Sequence, residues 1–260
     1  MASSFLGGAL VEHLPALPAL QAAAGIAAIA PLAMLLASLF LLSERKVVVS
    51  RLEMRLTLQS IVSSLKSGKL YLVAFFLFLY CFAPGFGTPL YYFMTDELKF
   101  SQAYIGILGS IASAGWIAGA LMHRWLLRRM NSEALLYLSI VLGTLSAASF
   151  LLLTDEVTAA IVNFANGVAM MIATIASLSL AADYCPRRSE GFAFAGLMSV
   201  TNLAEICSNT VGAFLYEHLF DGRLGPLIVV SAAATAVAAV IVPLLRLDSK
   251  LHTGAQNGMT

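Results

Sequence analysis

Asn202, Glu205 and Asn209 are spaced i, i+3 and i+7 within an otherwise apolar stretch. On a helix that spacing places them on one face, with Ser208 adjoining. Glu205 is the only acidic residue deep within any apolar run of the chain. Isolated in lipid, a carboxylate there costs roughly 2.5–3.5 kcal/mol, so it must face a cavity or a partner. A carboxyl that is neutral in one state and charged in another can hold an amine or carry a proton. The structural alternative is a helix–helix hydrogen bond, which polar residues commonly supply in bundles. Asn163 and Asn166 form a second i, i+3 pair on another apolar run, with the same two readings.

Tyr80 lies just before a disrupted segment. Pro84, Gly85, Gly87 and Pro89 fall within six residues, and two prolines with two glycines will kink or unwind a helix. A break of this kind exposes backbone groups to a cavity. Tyr80, Tyr91 and Tyr92 flank it and can stack on a planar ring or anchor the chain at an interface. Tyr91 and Tyr92 fall near the end of their run, which favours anchoring.

Other chemistries find little support. Cys81, Cys185 and Cys207 are scattered, as are His13, His123, His218 and His252. No disulfide framework, metal site or cofactor is expected. There is no Gly-x-Ser-x-Gly elbow, so an intramembrane enzyme is disfavoured. The net charge of +1 gives no electrostatic footprint for nucleic acid.

The elements that position these residues follow from composition. The chain is 60% hydrophobic and 11% charged, with mean hydropathy +0.87. A soluble domain carries roughly 25% charged residues, so lipid must be the solvent for most of this surface. Inside lipid only helices and closed barrels satisfy the backbone. The apolar runs are too long for barrel strands, and an all-α membrane protein is expected.

Seven runs stand out, at about 19–42, 70–94, 102–122, 134–153, 157–182, 191–219 and 224–246. Thirteen of the fifteen Lys and Arg residues fall in the loops 43–69, 123–133 and 183–190 and in the tail after 245, against Lys99 and Arg223 in the alternate loops. This alternation predicts an external N-terminus and a cytoplasmic C-terminus. The first residues lack the basic region of a signal peptide. A retinal protein is not expected, because all five lysines (46, 66, 69, 99 and 250) lie in loops.

Within 43–69, Leu52, Leu56, Leu58, Ile61, Val62 and Leu65 recur at roughly helical spacing among Arg51, Glu53, Arg55 and Gln59. An amphipathic helix on the cytoplasmic membrane surface fits, with a basic linker as the alternative. The polar tail 247–260 reads as disordered. Residues 8–14 (Gly-Ala-Leu-Val-Glu-His-Leu) echo residues 212–219 (Gly-Ala-Phe-Leu-Tyr-Glu-His-Leu). Their separation corresponds to one six-helix unit plus a linker, the parallel repeat of the major facilitator fold. On this reading, 1–42 holds the end of one helix and all of the next, 43–69 links two halves, and 70–246 is a C-terminal six-helix bundle. Most of an N-terminal half is then expected to be missing.

The segment around Gly119, His123, Arg124, Leu126, Arg128 and Arg129 resembles the major facilitator loop signature, Gly-x-x-x-Asp-Arg-x-Gly followed by basic residues. His123 replaces the acid and Leu126 the second glycine, which puts the family's cytoplasmic latch in doubt. Two further stretches look like the folate–biopterin transporter family. One runs from Thr88 through Tyr91, Tyr92, Asp96 and Glu97 to Ser101. The other runs from Ala182, Asp183, Cys185 and Pro186 through Glu190, Gly191 and Met198 to Asn202. The likeness covers about 70–219; related peptide and muropeptide exporters share parts of the second stretch. It implies a transporter that moves a small organic solute, a folate or pterin, by alternating access with a partner N-terminal half in the bilayer. Glu205, Asn202, Asn209, Asn163, Asn166 and Tyr80 would bind the substrate. Gly119, Arg124, Arg128, Arg129, Asp183 and Arg187 would serve gating, although Asp183 with Arg187 and Arg188 also fits a solvated pair at a helix end. The competing class is a membrane-embedded interaction or regulatory protein without transport.

Overall fold

The computed structural model describes residues 6–7, 10, 15–41, 51–64, 66–127, 129–185 and 189–245. They contain no strand, and the fold is that of an all-α membrane protein. Six helices are individually long and apolar enough to cross a membrane. We label the helices α1 (Ala16–Leu41), α2 (Arg51–Ser64), α3 (Gly68–Cys81), α4 (Gly87–Tyr92), α5 (Gln102–Met122), α6 (Ser132–Ser149), α7 (Glu156–Asp183), α8 (Glu190–His218) and α9 (Leu224–Ile241). Residues 8–9 and 11–14 of the internal repeat, the tail, Arg128, Arg187 and Arg188 lie outside the described residues.

Helix starts follow local chemistry. Ser101, Asn131 and Asp155 each accept a hydrogen bond from the backbone N–H three residues on, at the starts of α5, α6 and α7. At Asp155 the arrangement is reciprocal, because the Thr158 hydroxyl oxygen accepts from the Asp155 N–H at 3.0 Å. The N–H of Thr158 donates to the Asp155 carboxylate at 2.8 Å, and this bond is the main reason that its pKa lies below the ordinary value. A depressed pKa adds stability at neutral pH that is lost as pH falls through the folded value. Asp155→Ala should therefore lower the melting temperature of detergent-solubilised protein at pH 7. Its deficit relative to wild type should shrink as the pH falls through the folded-state pKa of Asp155, where the wild-type carboxylate is protonated as well.

The second apolar run is not one helix. α3 ends at Cys81, residues 82–86 are irregular, and α4 resumes at Gly87 and passes into a π-helical turn over Phe93–Glu97. The interruption falls on Pro84 and Gly85, as the sequence predicts.

α5 packs along α7, α6 lies against both α7 and α9, and α3 lies against α8. The closest crossing, between α5 and α7, is made by glycine. A Cβ on Gly167 would lie 3.0 Å from the Ala112 carbonyl carbon and 3.1 Å from Gly115 Cα, and nearer still to the Ala112 oxygen. Small residues permit this backbone approach between membrane helices. Gly167→Leu should force the pair apart and cost about 2–3 kcal/mol, read as a loss of monodisperse protein on gel filtration.

Two apolar clusters close opposite ends of the bundle. One gathers Phe76, Leu77, Leu136, Ile140, Ile172 and Leu180. The other gathers Leu90, Met94, Leu108, Phe150, Val162 and Ile228. α1 stands apart from both, and every residue from Ala24 to Leu41 is exposed.

Candidate functional site

Between the two clusters lies a cavity of about 560 Å³. Its walls are the break after α3, the middles of α6, α7 and α8, and the polar positions of α9. It is roomy enough for a small organic solute. Met170, Leu178, Glu205 and Asn209 line it and are also exposed, so the cavity opens on the surface of the bundle.

The break is fastened to α8 at backbone level. The Gly85 N–H donates to the Ser208 carbonyl at 2.9 Å, and the Ser208 hydroxyl donates to the Ala83 carbonyl. Gly212 makes this contact possible: a Cβ there would lie 2.7 Å from the Gly85 carbonyl carbon and 2.8 Å from its nitrogen. A Cβ on Gly85 would likewise fall 2.5 Å from Asn209 Oδ1. The unwound segment, Asn209 and Glu205 therefore share one stretch of wall.

Four of the six residues singled out for binding meet here: Tyr80, Asn166, Glu205 and Asn209 all line the cavity. The Tyr80 hydroxyl donates to Ser139 Oγ at 2.9 Å, and its ring stacks on Phe76, so its orientation is fixed. Asn166 Oδ1 accepts from the Ser146 hydroxyl at 3.0 Å, which ties α7 to α6. Asn163 and Asn202 are not part of the lining. The Asn163 amide donates to the Ala159 carbonyl one turn back at 2.8 Å, and Asn202 is exposed beside the cavity.

Sequence reasoning missed the hydroxyl residues Thr174, Ser177, Thr201, Ser231 and Thr235. In α8 the lining positions Met198, Thr201, Glu205 and Ser208 repeat at three- and four-residue intervals. That register is a helix face legible in hindsight.

Of the residues singled out for gating, Gly119, Arg124, Arg129 and Asp183 are among the described residues. Gly119 is buried, and a Cβ on it would lie 2.8 Å from the Val168 carbonyl oxygen, so it serves helix packing. His123–Leu127 forms a π-helical turn on which Arg124 is exposed, and Arg129 is exposed in the loop beyond. Asp183 accepts a hydrogen bond from the Ser132 hydroxyl at 3.1 Å. Tyr91, exposed, donates to Gln102 at 3.0 Å, and Tyr92 is exposed beside it. Among the described residues no group of three or more His, Cys, Asp or Glu could hold a metal.

The profile of the BT1 family matches residues 1–246, nearly the whole chain. The chain belongs to the BT1 family. A folate-biopterin transporter from Synechocystis sp. is 26% identical over 186 residues, which cover 65% of this chain and 37% of that relative. This BT1 chain thus corresponds to little more than a third of that relative's length. No solved structure matches it. The BT1 membership and the apolar helices together make it an integral multi-pass membrane protein.

Proposed function

We propose that this BT1-family chain is the C-terminal unit of a secondary transporter of major facilitator type, which moves a folate- or pterin-like solute by alternating access. The observation that carries the reading is the open cavity. Glu205 and Asn209 sit on its exposed wall at mid-span, where contact with lipid would cost roughly 2.5–3.5 kcal/mol for the carboxylate alone. An N-terminal six-helix half closing over that wall removes the penalty and completes a central binding site. The apolar α1, exposed from Ala24 to Leu41, supports the same arrangement, since it would pack within that half. A relative of which 37% is covered, named a folate-biopterin transporter, supports both the size of the complete protein and the solute class.

In this reading the N-terminus is external and the C-terminus cytoplasmic, as the charge sorting predicts. The exposed Met54, Leu58 and Val62 of α2 form one stripe that rests on the cytoplasmic membrane surface. Glu205 alternates between protonated and ionised states and couples proton movement to solute movement.

The experiment is co-expression of the chain with the polypeptide encoded immediately upstream of Met1, followed by uptake of labelled biopterin and folate into vesicles. Saturable uptake that requires both parts is expected. If the pair, expressed and inserted, takes up neither solute above empty vesicles, the transport reading fails and a membrane-embedded interaction protein becomes the better account.

A further inference from the structure

The cavity has a one-sided charge. Among the described residues that line it, Glu205 is the only acidic side chain, and there is no Lys, Arg or His. The remaining polar groups are neutral amides and hydroxyls, Asn166 and Asn209 among them. Phe86, held edge-on against Phe150, adds an aromatic face. A carboxylate is an acceptor only, and its complement is a cation or an N–H-bearing group. An aromatic face favours the same partner. A carboxylate-bearing solute would meet like charge at Glu205 with no compensating cation on this wall.

We propose that this wall of the cavity receives the amino-bearing, neutral or cationic end of the solute and repels its carboxylates, and that Glu205 sets this preference. The inference deepens the transport reading and rests on this cavity being the solute's path. Any binding site for a solute's carboxylates must then be built elsewhere in the complete transporter.

Cys81 lines the same cavity as Glu205 and serves as a built-in reporter. Cys185 and Cys207 lie outside the lining and are replaced by serine to leave one thiol. The protein, in proteoliposomes, is treated with a cationic reagent (trimethylammonium-ethyl methanethiosulfonate) or an anionic one (sulfonatoethyl methanethiosulfonate). Each forms a mixed disulfide with the thiolate and releases methanesulfinate. The cationic reagent should react at least about tenfold faster than the anionic one, after correction for their rates with a small free thiol. Glu205→Gln should bring the corrected ratio close to one. A second reporter, Thr201→Cys in a cysteine-free background, stands one turn from Glu205 on the same lining face and should give the same result. A ratio near one in the wild-type background at both positions, or a ratio that Glu205→Gln leaves unchanged, overturns the proposal. Labelling does not depend on turnover. A charge preference without uptake in the vesicle assay would therefore count against transport alone, and uptake without a charge preference against this inference alone.

Discussion

Gly212→Val should abolish the assembled bundle. A Cβ built on Gly212 falls well inside van der Waals contact distance of three Gly85 backbone atoms. Backbone cannot rotate away as a side chain can, so either α8 or the 82–86 break has to move. Moving the break also disrupts the Gly85–Ser208 hydrogen bond and the Ser208 bond to Ala83. Overpacking of a tight interior costs typically 1–3 kcal/mol, and Val here belongs at the upper end, at about 3 kcal/mol or more. Even Gly212→Ala should be strongly harmful. The same helix supplies the control, because Gly196 has open space where its Cβ would go. Gly196→Ala should be neutral or stabilising by roughly 0.5–1 kcal/mol, since alanine is the better helix former. Fluorescence-detected gel filtration across a temperature series separates the two. Equal melting of the Gly212 and Gly196 alanine variants would show that the backbone contact between the break and α8 is not essential.

The second large effect is expected at Glu205. Glu205→Gln preserves shape and one hydrogen-bond acceptor, so folding and expression should survive. The amide cannot ionise, so a proton can no longer be exchanged at that position. In the complete transporter under an imposed pH gradient, accumulation should fall to the level set by the solute's own gradient, while exchange at saturating solute persists. A structural Glu205 predicts the reverse pattern, with Gln tolerated in transport and Glu205→Leu destabilising.

The α-helical membrane fold was legible because its causes are local. Long apolar runs define spans, and the helices of the structure begin and end within a few residues of the runs read from sequence. The break at 82–86 was legible for the same reason: proline and glycine act on the backbone at their own positions. The face of Glu205 and Asn209 was legible because one carboxylate in a long apolar run cannot point into lipid without cost. What stayed hidden depends on neighbours. Nothing in the sequence around Gly212 distinguishes it from Gly196, because the difference lies in Gly85, which is far away in sequence. The cavity hydroxyls were hidden because Ser and Thr satisfy themselves within a helix, as Ser177 does on the Ala173 carbonyl and Thr235 on the Ser231 carbonyl. Such residues carry no visible cost and therefore no signal. Asn163 shows how a pair can part in space, since only Asn166 lines the cavity. Its spacing from Asn166 suggested a shared role, yet its amide is used within its own helix.

On the function proposed above, the Glu205 cavity is the solute path of a proton-coupled transporter. The most direct test is pH-gradient-driven uptake of labelled biopterin by reconstituted complete transporter, comparing wild type with Glu205→Gln at equal protein density. Wild type should accumulate biopterin above equilibrium until the gradient is dissipated, and the variant should show no accumulation above equilibrium. Gradient-driven accumulation by the Gln variant equal to that of wild type would contradict the proposed function.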